Sequence, residues 1–204
     1  MIGRCVWIAL SAVLLAAAAR AAGPPQDPDW PCVQRLVPEI AAESVWSGPA
    51  LPGNADWRAD PALSALVAAV TPRAVDAATG VAKINAFLDA LPKEQRAAEI
   101  PEAFLGILAG TNEQRQDVIA RIKGLNRRQR DLAHMVVGVT DELAALPTDA
   151  TGAEADQRAE MVQRQAYELR EFQETQRTMR YACEAPVQLE ARLGAYARAL
   201  QSKL

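Results

Sequence analysis

Histidine occurs once in the 204 residues, cysteine three times, and aromatic side chains make up 5% of the chain. The lone histidine, His134, rules out most imidazole chemistry. A di-iron bundle needs two Glu-x-x-His units, and a zinc site usually draws on several nitrogen or sulfur ligands. A Cys-x-x-Cys-His segment is missing, which excludes covalent c-type haem. Beyond the first 21 residues the serines are Ser44, Ser47, Ser64 and Ser202, and none sits in a Gly-x-Ser-x-Gly elbow. Long β-branched runs are missing too. Alanine, leucine, glutamine, arginine and glutamate dominate instead, a helix-forming composition. An enzyme is not expected, and no cofactor is implied.

The start of the chain reads as an export signal. Arg4 opens a short basic region, Cys5 to Ala19 is apolar, and Ala19-Arg20-Ala21 offers small residues to a signal peptidase. The expected cleaved segment is 1–21. Its apolar run falls short of the ~20 residues that span a bilayer, and no second such run follows, so no stable membrane insertion is expected after cleavage. Cleavage removes Cys5 and leaves Cys32 and Cys183, which an oxidising compartment is expected to join. The compartment expected is a bacterial periplasm, with secretion as the alternative. The remaining chain carries 20 basic and 25 acidic residues, a formal charge of −5. Nucleic acid and anionic membrane both select a basic face, so neither is an expected partner.

Residues 22–60 form a distinct arm. Eight of the 13 prolines and the three tryptophans Trp30, Trp46 and Trp57 lie within 22–61. Proline there allows only a short helix, about Pro38 to Val45. From Asp60, a good N-cap before Pro61, the pattern turns helical through 204 as one domain with the arm. Apolar or small residues alternate at spacings of four and three from Leu63 to Leu91, with a kink or break at Thr71-Pro72. Pro101 to Ala109 predicts a short helix. Thr111-Asn112-Glu113-Gln114 has capping-box form and predicts a new start, followed by a long helix over 112–146. Its seam is Val118, Ile122, Leu125, Gln129, Leu132, Val136, Val139, Leu143 and Leu146. After a turn at 147–152, a helix over 154–183 has the seam Val162, Ala166, Leu169, Phe172, Gln176, Met179 and Cys183. Pro186 then kinks or restarts the chain, and Leu189, Leu193, Tyr196 and Leu200 give a final helix. The expected fold is all-α, an elongated antiparallel bundle built on this long hairpin, with the Trp/Pro-rich arm against it.

Candidate sites are few. Asp131 and His134 share one helical face as weak metal candidates, against the simpler reading of a surface histidine. The basic cluster Arg121, Lys123, Arg127, Arg128 and Arg130 stands opposite Glu168, Glu171 and Glu174 if the hairpin is symmetric, so interhelical ion pairs explain it, with an anion or acidic-partner site as the alternative. Tryptophan is costly to expose and enriched in binding hot spots. Trp30, Arg35, Trp46 and Trp57 are therefore the partner-contact candidates; the alternative is that the three rings cover the bundle, held there by Cys32.

Two resemblances accompany these readings. Asp-Trp-Pro-Cys and Val-Trp-Ser-Gly-Pro, within 29–49, look like pieces of small exported bacterial proteins, a likeness that brings no activity with it. Thr111-Asn112-Glu113-Gln114-Arg115 is similar to the Leu-Thr-x-x-Gln motif of the Spy/CpxP periplasmic chaperones, with Gly110 where that family has leucine. The expected function is a non-enzymatic interaction module, an adaptor or accessory subunit acting on another envelope protein. A Spy/CpxP-like chaperone and a small-ligand or metal carrier are the alternatives. A homodimer that completes the bundle is compatible with the seams.

Overall fold

In the structure, a computed structural model that describes residues 27–204, the described chain is helical and contains no strand. The expected signal segment lies outside the described residues. Four helices follow the arm: α1 Pro61–Val70, α2 Ala77–Ala90, α3 Lys93–Ala145 and α4 Ala153–Gln201.

Asp60 caps α1 as expected, its carboxylate accepting from the backbone N–H groups of Ala62 and Leu63. Pro72 has no N–H to continue the ladder, so the helix ends at Val70 and the interruption is a full break. Asp76 then caps α2 by accepting from the N–H of Thr79. α1 packs on α2 and α3, and α2 packs on α4. Their shared core contains Leu63, Val70, Ile84, Leu88, Phe104, Ile107, Leu193, Tyr196 and Leu200.

Three local expectations fail. The helix over Pro38–Val45 shrinks to a 3₁₀ turn at Ala42–Ser44. Tertiary bonds hold the preceding backbone instead, because Asn112 both accepts from the N–H of Ile40 and donates to its carbonyl. The short helix at 101–109 and the new start at Asn112 merge into one 53-residue α3. Thr111 bonds back to the Ile107 carbonyl, and Gln114 donates to the Thr71 carbonyl, so no capping box exists. Likewise α4 runs 49 residues straight through Pro186, with no restart. Buried Arg115 donates to the Pro186 carbonyl and fixes this stretch from across the bundle.

The α3 seam is as expected, with Val118, Ile122, Leu132 and Val139 buried. The α4 seam is not. Val162, Ala166, Leu169 and Gln176 are exposed, while Met161, Gln165, Glu168, Thr175 and Ala182 turn inward. Because the helix is continuous, the buried positions Leu200, Tyr196, Leu193, Leu189 and Pro186 fix its rotation back along its length. At 3.6 residues per turn that phase brings Glu168 and Thr175 to face α3. A second apolar cluster, Trp30, Cys32, Val118, Ile119, Ile122, Ala185 and Leu189, sits under the arm. Farther out, among the described residues, α3 and α4 have only each other.

Candidate functional site

The arm is tied along α3 by three residues of the basic cluster. Lys123 pairs with Asp27 at 2.8 Å, while Arg127 and Arg130 hold Asp29 at 2.9 and 2.6 Å. Asn126 donates to the Asp29 carbonyl. Only Arg128 of the basic cluster reaches across the hairpin, to Glu171 at 2.8 Å. The expectation of a cluster neutralised by α4 is therefore corrected: the arm's own acids take most of it. Hydrogen bonds from Arg130 and Arg127 hold the Asp29 carboxyl below its ordinary range, and the bond from Lys123 does the same for Asp27.

Cys32 and Cys183 form the expected disulfide. Trp30 is buried beside it and donates its indole N–H to the Gln34 carbonyl at 2.7 Å. The Gln34 side chain donates to the Cys183 carbonyl. Trp46 is buried against Phe104, with ring centroids 4.6 Å apart. Trp57 is half-buried on the same core, with the Arg58 guanidinium over its ring at 4.2 Å. Trp30 and Trp46 thus cover the bundle, and Trp57 keeps an open edge. Arg35 is exposed, as are Val33 and Val37.

Where the arm crosses the hairpin it leaves a groove of about 550 Å³ beside the disulfide. The arm contributes Pro31, Val33 and Gln34, α3 contributes Asn126 and Gln129, and α4 contributes Gln176, Met179 and Arg180. The Gln129 amide oxygen is buried without a hydrogen-bond donor. The lining offers amides, a sulfur-rich wall and one cation, with no carboxylate and no nucleophile. Those side chains offer hydrogen bonds, apolar contact and one positive charge. Gln129 stands out in the sequence as the one polar residue of its seam. Gln176 stands out in the same way in the seam of its helix, and Gln34 carries no such signal.

A second hollow, about 370 Å³, lies between Val75, Asp76 and the α4 stretch Ala185–Arg192. There the Arg192 guanidinium donates to the carbonyls of Thr71, Pro72 and Val75, closing the break between α1 and α2. Asp131 and His134 are both exposed. Among the described residues, no group of three or more His, Cys, Asp or Glu side chains is placed to hold a metal ion. Likewise no helix among them is long and apolar enough to cross a membrane. No family model, curated protein or solved structure matches this chain.

Proposed function

We propose that this chain is an exported, non-enzymatic interaction module of the bacterial envelope, and that the groove beside the disulfide receives an extended segment of a partner protein. One observation carries the reading: Val33, with 102% relative exposure, stands fully in solvent at the rim of an amide-lined groove. An apolar side chain held out by a stapled arm suits an apolar residue of a partner. The unpaired Gln129 oxygen suits a backbone N–H, because a buried acceptor without a donor costs about 1–3 kcal/mol. Arg35 and Arg180 favour an acidic flank on the incoming segment. The disulfide supports an oxidising compartment, and the periplasm is the location this reading adopts.

Affinity capture of the tagged protein from native periplasmic and envelope extract tests it, with Val33→Asp and Gln129→Leu as controls. One or a few stoichiometric partners, lost with either variant while the melting temperature holds, support the module. An empty capture overturns it. A broad set of unfolded clients retained by both variants overturns it in favour of a Spy/CpxP-like chaperone.

A further inference from the structure

The polar side chains of the groove beside the disulfide divide into engaged and open ones. Asn126 gives its amide to the carbonyls of Pro28 and Asp29, and Gln34 gives its own to the Cys183 carbonyl. Gln129, Gln176 and Arg180 stay open. Among the described residues neither of these two glutamines makes a side-chain hydrogen bond, and the buried Gln129 oxygen meets no donor. Arg180 makes no ion pair among them either, although Glu184 stands one turn ahead on the same helix. It lines the groove instead, as the one charged residue there. The open groups are thus a cation and amide donors around a buried acceptor, with no carboxylate. Shape adds a second constraint. Both links from this stretch of the arm to α4, the Cys32–Cys183 disulfide and the Gln34 bond, land on Cys183 and close the inner end. From Gln176 to Cys183 the α4 wall runs about 10 Å at 1.5 Å per residue, room for about three extended residues. A chain passing through needs two open ends, whereas a chain terminus needs one.

We infer that the groove seats the C-terminal end of a partner chain. The terminal carboxylate meets Arg180 and Gln176, the N–H of the last residue meets the Gln129 oxygen, and an apolar last side chain lies against Pro31, Val33 and Met179. Charge selects which terminus enters. An N-terminal ammonium would face a guanidinium and find no carboxylate to pair with. A C-terminal carboxylate instead gains the parallel N–H bonds that a guanidinium offers, with an amide donor beside them. The N–H and the α-carboxylate of a last residue hang on the same Cα, so one residue satisfies the buried acceptor and the donors together. Capture of a chain's terminal carboxylate is a recurring mode of peptide recognition. The seat for a chain end rests on the groove being a partner site at all, and the two can fail separately.

The test uses a pool of peptides randomised at the C-terminus, made once with free carboxylates and once amidated. Each pool is passed over the immobilised chain, disulfide intact, and the retained peptides are read by mass spectrometry. Free acids ending in an apolar residue are expected to be retained about tenfold or more over the matching amides. Arg180→Gln removes that preference at an unchanged melting temperature, because Arg180 is exposed and leaves no partner unpaired. Gln129→Leu weakens retention of acids and amides alike. Equal retention of the two pools overturns the carboxylate seat and leaves the groove to internal segments. Amides bearing Asp or Glu, retained as well as the acids, give Arg180 a side-chain carboxylate and overturn it too. A preference for acids that survives Arg180→Gln overturns the role of Arg180. Retention of neither pool overturns the groove and the seat together.

Discussion

Gly80 on α2 lies against the phenol of Tyr196, and a Cβ built there falls 1.9 Å from the hydroxyl oxygen. Tyr196 has no slack, since it is buried and its hydroxyl donates to the Val70 carbonyl at 3.2 Å. Gly80→Ala is expected to destabilise by about 1–3 kcal/mol through overpacking, read as a lower urea midpoint at unchanged slope. A second prediction concerns Asp29. Its carboxyl has a folded pKa below its ordinary value, so its contribution is present above the unfolded pKa of about 3.9 and fades as pH falls through the folded value. Hydrogen exchange over residues 27–36 should accelerate as pH drops below about 4, after correction for intrinsic rates, and Asp29→Asn should show the faster exchange already at neutral pH. At this scale the disulfide and the Asp60 cap were readable from residue type and position. Arg115 and Arg192 were not. Charged residues on amphipathic helices read as solvent-facing, and these two turn inward only because Val37, Pro186, Thr71, Pro72 and Val75 deliver carbonyls from distant segments.

The two long helices teach different lessons. In α3 the apolar spacing named the buried face correctly, because that face meets α4 and the arm with apolar residues along most of its length. In α4 the same reasoning chose wrongly at Val162, Ala166, Leu169 and Gln176, which are exposed. Rotation there is imposed by the C-terminal half of the helix, and the best apolar stripe of the outer part does not face α3. Breaks were misplaced for a related reason: Pro101 and Pro186 interrupt single hydrogen bonds, while packing on both sides keeps each helix continuous. Glu168 records the consequence. It is 3% exposed, with one oxygen paired to Arg164 at 2.9 Å and the other without a partner. Glu168→Leu is expected to raise stability by about 1–3 kcal/mol, since an apolar side chain of similar volume removes an incompletely solvated charge. Equilibrium urea unfolding beside the parent chain checks the direction.

At the scale of the whole molecule, all-α character and the antiparallel hairpin were legible, and the arm's path was not, because it depends on ion pairs and amide bonds without periodicity. Cys32 and Cys183 are 151 residues apart. In the chain-entropy picture such a crosslink stabilises by about 5 kcal/mol, an upper figure. Cys32→Ser/Cys183→Ser is expected to lower the melting temperature by several degrees, each kcal/mol being worth about 2–4 °C at this size. The helical circular dichroism should persist, because Asn112, Arg115 and Arg130 still hold the arm. The spacing of the two cysteines also orders the chain's birth. Cys32 is synthesised 151 residues ahead of its mate, and the surface that seats it is made from α3 and α4. The arm therefore waits, its thiol unpaired, until α4 has been joined and folded as far as Cys183. Oxidation follows synthesis of α4, and the bond records that it was reached: a product truncated before Cys183 keeps the Cys32 sulfhydryl free.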